Sequence, residues 1–191
     1  MMTPSNNTRP ENGSKEWIAL VFEQCGFHRS VAGDDDFNLA VEGVFLAHEK
    51  HKNILISGPC GCGKTALSKI LQRLFKVPTF LYMANPCHVR WLEPDNEYGD
   101  YRTHEYMQSG CVIDDVGIEP TQNVYGIKRE IVGEFLAAEY IFGRGRIIMN
   151  TNLNSDEFTE RYDARIQSRV KEKFIPIKLT GNDKRKWEKI K

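Results

Sequence analysis

Eight consecutive residues carry the first chemical signal in this chain: Gly58-Pro59-Cys60-Gly61-Cys62-Gly63-Lys64-Thr65. They fill the pattern G-x-x-x-x-G-K-[S/T], in which each residue type has a physical task. The glycines permit a turn that aims successive backbone N–H groups at phosphate oxygens. A helix opening at Gly63 adds the positive end of its dipole at the same place. Lys64 brings a point charge to the β- and γ-phosphates, and the Thr65 hydroxyl is a ligand for Mg²⁺. The chemistry expected of Gly58–Thr65 is binding of ATP with Mg²⁺.

A metal held this way needs an acid from a neighbouring strand. Cys111-Val112-Ile113-Asp114-Asp115 offers two, at the carboxyl end of an apolar run, and ligands of open α/β sheets bind at that end. Asp114 is assigned to Mg²⁺ through water, and Asp115 to orienting and polarising the attacking water. A turn acid with no base role is the competing reading of Asp115. Asn150-Thr151-Asn152 ends a further apolar run. A polar side chain there would lie between the acids and the γ-phosphate, although asparagine is also common in turns and caps. Cys60 and Cys62 make only a C-x-C with no second Cys/His pair at zinc spacing, so they read as small loop residues. A loop rich in N–H groups would also favour a redox-sensitive thiolate at Cys62.

The elements that must position these residues follow from periodicity. Asn53–Ser57 reads as a buried strand entering the loop, and Lys64–Phe75 as the helix leaving it. Further strands are expected at Thr79–Met83, Cys111–Asp115, Arg146–Thr151 and Phe174–Leu179. Helices are expected at Lys15–Gly26, Asp34–Glu49, near His88–Leu92 and Tyr101–Gln108, and at Asp156–Tyr162 and Ala164–Val170. Asp34–Asp36 offer N-cap acids. Val124–Phe142 reads as one long amphipathic helix, with Ile127, Ile131, Phe135, Ala138 and Phe142 inward and Lys128, Glu130, Glu134 and Glu139 outward. Alternation of this kind predicts an α/β fold, a three-layer αβα P-loop NTPase with a five-stranded parallel sheet.

Composition sets outer bounds. The 191 residues suit one domain, and five scattered cysteines argue against a disulfide framework. No apolar run reaches the ~20 residues that cross a bilayer, and the polar start lacks a signal peptide, so a cytoplasmic address and no membrane partner are expected. Residues 1–14 read as disordered. Net charge is zero but uneven: residues 165–191 hold ten Lys/Arg against three acids. That basic end suggests a polyanion partner or a solvated terminus.

Taken together, GPCGCGKT (58–65), VIDDVG (112–117), IIMNTNL (147–153) and SDEFTERYDARIQSRV (155–170) resemble the AAA+ ATPases, and among them the DnaC-type helicase loaders and IstB-type transposition helpers. The ending Leu179-Thr180-Gly181-Asn182-Asp183-Lys184-Arg185 is similar too, so the likeness runs over about residues 50–187. It implies that Asn152 is the sensor asparagine. It implies that Arg169, with Arg165 beside it, is an arginine finger reaching the ATP of a neighbouring subunit. The second acid is Asp115 where the broader group has glutamate, as in many loaders. A short end after the last strand implies no C-terminal helical lid, with Arg185 a candidate substitute for a lid arginine.

The layout expected is an N-terminal pair of helices (15–49) packed on the core or meeting a partner, an ATPase domain (50–187) and a basic tail (188–191). The resemblance implies a homo-oligomer assembled by ATP, DNA as a partner, single-stranded by preference, and a replicative helicase or a transposase as protein partner. His88, Arg90 and Trp91 are candidate strand contacts, Trp91 reading also as core. A non-hydrolysing ATP-sensing adaptor and a small-molecule kinase are the competing readings, with Arg144 and Arg146 the kinase's candidate lid arginines.

Overall fold

A computed structural model describes residues 11–93, 99–124 and 126–183. The basic tail, Arg185 and residues 1–10 of the expected disordered start lie outside the described residues. Elements run α1 (Lys15–Gln24), α2 (Arg29–Ala32), α3 (Asp34–Glu49), β1 (Asn53–Ser57), α4 (Lys64–Leu74), β2 (Thr79–Tyr82), α5 (Pro86–Trp91), α6 (Gly99–Ser109) and β3 (Cys111–Val116). They continue with β4 (Gln122–Val124), β5 (Ile127–Arg129), α7 (Ile131–Phe142), β6 (Ile147–Thr151), α8 (Ser155–Lys173) and β7 (Phe174–Lys178).

Five strands form one sheet in the order β2-β3-β6-β1-β7, and every pairing in it is parallel. Side chains alternate across a strand, and here the alternation divides two cores. Ile54, Ile56, Val112, Ile148 and Ile177 join the helices α1, α3 and α4 on one face. Leu55, Ile113, Ile147, Met149 and Phe174 join α5, α6, α7 and α8 on the other. The result is the expected α/β sandwich of three layers; among the described residues no helix follows β7.

The N-terminal helices are part of the first core. Phe22 and Phe37 are fully buried, their rings edge-to-face at 6.1 Å. Close approach of α3 to β7 is made possible by Gly43, where a Cβ would stand 2.5 Å from Ile177 Cγ1. Deleting a buried phenyl ring costs about 3–5 kcal/mol through lost burial and a residual cavity. Phe22→Ala is therefore expected to lower unfolding free energy by about that amount, read from the urea midpoint at unchanged slope.

Three expectations are corrected. Residues 122–129 form an antiparallel hairpin, Gln122↔Arg129 to Val124↔Ile127, turned at Gly126 with φ 80. The long helix thus starts only at Ile131; apolar residues four apart at 127 and 131 mimic one continuous face. At its far end Phe142 is exposed and Glu139 is buried. Glu139 accepts from Asn53 Nδ2 at 3.0 Å, and burial raises its carboxyl pKa. Third, Asp36 does not cap α3, whose N-cap is Gly33. Its carboxylate instead accepts from Thr180 N, Thr180 Oγ1 and Gly181 N at 2.8–3.1 Å.

Helix α8 runs as two rods. Asp163 breaks it with φ 71, between the two short helices expected, and its Oδ1 accepts from Arg165 N and Ile166 N at 2.7 and 3.0 Å, capping the second rod.

Candidate nucleotide-binding site

The glycine loop joins β1 to α4. Gly58, Gly61 and Gly63 all have positive φ, which glycine adopts without a Cβ penalty. The residues after β7 add a second reason for two of them. A Cβ on Gly58 would lie 2.3 Å from Leu179 O, and one on Gly61 2.0 Å from Asp183 Oδ1. Leu179 N donates to Ser57 O at 2.8 Å, and Asp36 clamps the next two residues, so the segment that follows β7 lies against the loop.

Lys64 is the first residue of α4 and is 5% exposed. Its Nζ donates to Gly58 O at 2.8 Å and to Pro59 O at 2.7 Å. The ammonium is thereby held inside the loop it serves. Cys62 is fully buried beside it, 4.0 Å from Nζ; burial shields this thiol from the solvent oxidants that the exposed Cys60 meets.

Sheet order brings the other groups in. Strand β6 lies between β1 and β3, with Ser57 paired to Thr151 and Thr151 to Val116. All three strands end at the same edge. A cleft of about 370 Å³ there is lined by Gly61, Gly63, Lys64 and Thr65 together with Asp115 and Asn152. Asp114 lies deeper, 3% exposed. The register of β3 against β6 slips between Ile113 and Val116, and Asp115 there has φ 60. Such a bulge re-aims side chains, and here it turns Asp115 into the cleft while Asp114 stays in the sheet.

Sequence reasoning missed what holds this arrangement. Asn150, fully buried on β6, bonds to Asp114, to the Asp115 amide and to Ser68. The polar run 150–152 was the only signal for it. Ser68, one turn beyond Lys64, carried none. Glu119 was also missed. It is buried, accepts from Gly117 N at 2.8 Å and from the Tyr162 hydroxyl, and pairs with Arg161 at 3.4 Å. Burial raises the Tyr162 pKa. Arg161 also pairs with Glu130 at 3.3 Å. The Arg161-Tyr162 part of the α8 pattern thus ties that helix to the loop after β3.

Other candidates lie away from the cleft. Arg169 is half-buried, its guanidinium 5.1 Å over the Tyr140 ring. Arg165 is exposed and pairs with Asp163 at 3.4 Å. Arg146 donates to Ala47 O and Lys52 O at 3.2 and 3.0 Å, at the opposite edge of the sheet. It is a structural cation there and no lid arginine. Trp91 is half-buried and packs against the second core, its ring 4.6 Å from that of His88 and 4.5 Å from the Arg102 guanidinium.

Near the loop one hydroxyl and two carboxylates offer hard oxygen donors, which suit Mg²⁺. Among the described residues no group of three or more His, Cys, Asp or Glu could hold a metal by itself, so a cation here would share its shell with phosphate and water. Among them, too, no helix is long and apolar enough to cross a membrane.

Comparisons with known proteins agree with this fold. The family described as the Rad17 P-loop domain matches residues 17–114, from α1 into β3. Checkpoint protein RAD24 of Saccharomyces cerevisiae is 24% identical over 110 residues, which cover 56% of this chain but only 15% of that protein. The crystal structure of the DnaC helicase loader superposes with a TM-score of 0.51 at 16% identity, covering 75% of this chain and 90% of that one; at that identity the likeness is one of fold. Since the matched stretch takes in more than half of the 191 residues and contains the phosphate loop with its flanking strand and helix, the chain belongs to the Rad17 P-loop domain family and has the fold of an AAA+ P-loop ATPase.

Proposed function

We propose that the chain binds and hydrolyses MgATP, assembles with copies of itself when ATP is bound, and acts on DNA in replication by loading a helicase. The observation that carries the nucleotide part is the convergence of Lys64, Thr65, Asp115 and Asn152 on one cleft at the carboxyl edge of the sheet, with Asp114 beneath it. The N-terminal helices share a core with the loop helix, which supports treating 15–49 and 50–187 as one working unit.

In this reading the amides of Gly58–Thr65 and the Lys64 ammonium orient the triphosphate. Thr65 and Asp114 would hold Mg²⁺, which when bound supplies charge neutralisation at the β- and γ-oxygens. Asp115 accepts a hydrogen bond from the attacking water, and Asn152 aligns that water with phosphorus. Arg169 reaches the γ-phosphate bound to an adjacent copy. Nothing in this scheme requires a covalent enzyme intermediate.

The DNA part is supported by rings and cations gathered near the edge strand β2. Phe80, Tyr82, His88 and Trp91 follow one another at centroid spacings of 4.8, 5.9 and 4.6 Å, with Lys69 and Arg102 over the outer two. Aromatic faces interleaved with cations favour single strands without reading sequence. Likeness in fold to a helicase loader favours a helicase over a transposase as protein partner.

The test measures phosphate release and particle size with ATP or a slow analogue, with and without single-stranded DNA. Faster turnover with DNA and larger particles with the analogue are expected, and Trp91→Ala should weaken strand binding by about 1–3 kcal/mol at unchanged ATP affinity. Tight ATP binding with no turnover under any condition would favour the ATP-sensing adaptor. A phosphorylated small molecule among the products would favour the kinase.

A further inference from the structure

Strand β6 carries a buried amide that phosphate binding alone does not call for. The side chain of Asn150 touches three separate parts of the site. Its Nδ2 donates to Asp114 Oδ1 at 2.5 Å and to Ser68 Oγ at 2.9 Å, and its Oδ1 accepts from Asp115 N at 2.9 Å. The neighbours dictate its orientation, since a carboxylate only accepts and a backbone N–H only donates.

The bond to Asp115 N has a structural reason. Where β3 bulges, the regular ladder to β6 is interrupted, and a bulge leaves backbone groups without their ladder partners. Asn150 Oδ1 takes the place of a ladder carbonyl. Asp115 is a non-glycine residue in the left-handed region, a conformation that persists only where its surroundings over-determine it. The Asn150 amide is one such constraint. Its other half fixes the carboxylate of Asp114, and the bond to Ser68 attaches both to α4, four residues after Lys64.

We infer that Asn150 is a positioning residue that sets the two acids relative to the phosphate loop, so that metal-facing carboxylate, bulge and loop helix keep one geometry. This rests on the proposed reading of the cleft as a MgATP site. Few other side chains could do it. Aspartate has the shape but no donor for Asp114. Serine reaches fewer partners. Leucine would leave the Asp115 N–H and the Asp114 carboxylate without their partner.

The consequence is a specific loss of magnesium's benefit to nucleotide binding. Groups that orient a metal ligand from behind typically change metal affinity 10–100-fold when removed. ATP affinity of the full chain is measured by calorimetry with Mg²⁺ and with EDTA, for the unmodified protein and for the charge-neutral variants Asn150→Leu and Asn150→Ser. The ratio of the two affinities is expected to fall about tenfold or more in both variants, while the EDTA value changes little. Phe22→Ala, destabilised through the core, should keep the ratio and so separates positioning from loss of stability. Should a position-150 variant not fold, the unmodified protein still decides: the Asn150 side-chain ¹⁵N–¹H resonances should move when Mg²⁺ is added to the ATP complex. A folded variant with an unchanged ratio, or resonances indifferent to Mg²⁺, overturns the inference. An unmodified protein that binds no ATP overturns instead the reading on which it rests.

Discussion

Lys64→Ala is expected to remove tight ATP binding. The ammonium is held 5% exposed at the base of the loop, so its attraction to phosphate acts with little solvent screening. Removing one partner of such a charged, hydrogen-bonded pair costs about 2–5 kcal/mol, roughly a 30- to several-thousand-fold loss of affinity. A second effect adds to the first. Gly58 O and Pro59 O both accept from Nζ, so the truncation also takes a shared donor from the loop's own backbone. Calorimetry with MgATP reads the result, and a melting curve without nucleotide shows whether the fold is intact. Retained tight MgATP binding by the folded variant would contradict the assignment of Gly58–Thr65 as the triphosphate site.

Arg169→Ala is expected to cost on the order of 10³-fold or more in ATP turnover while sparing ATP affinity, because a finger acts on charge that develops at the γ-phosphoryl group in the transition state. In the single chain the guanidinium rests over Tyr140, whose hydroxyl donates to Glu172 at 2.9 Å. That stacking is worth only about 0.5–1 kcal/mol at a part-exposed site, small enough for a neighbouring subunit's phosphate to displace. Mixing supplies the sharper test. Subunits carrying Arg169→Ala keep Asp115, and subunits carrying Asp115→Asn keep Arg169, so mixed assemblies should regain activity at interfaces that pair an intact finger with an intact acid. Turnover that stays lost in the mixture argues against a finger acting in trans. Equal loss of ATP affinity in Arg169→Ala would point instead to a structural role for the stacking on Tyr140.

Reading the sequence worked best where one stretch of chain contains its own explanation. NILIS followed by GPCGCGKT needs nothing distant to be a strand, a turn and a helix start, and β1 and α4 begin where the pattern places them. The division of α8 at Asp163 was likewise legible as two short helices, and the structure supplies its local cause, a carboxylate that caps within three residues. Reading was weaker where an apolar period served two structures. Ile127 and Ile131 fit one helix face, yet a glycine turn at 126 makes the first of them part of a hairpin. Glu139 looked like a solvated acid because its partner, Asn53, is 86 residues away.

The linear order of residues therefore determined the α/β alternation, the phosphate loop and the acids that end β3, all set by neighbours within a turn or a strand. Tertiary structure alone decided which polar groups hold them in place: Asn150 against residues 35, 36 and 82 positions away, and Asp36 against Thr180, 144 positions away. The reason is physical. Backbone preferences and hydrophobic period act over a few residues, whereas a buried polar group must find whatever partner the packed sheet brings within about 3 Å, and sequence separation does not constrain that meeting.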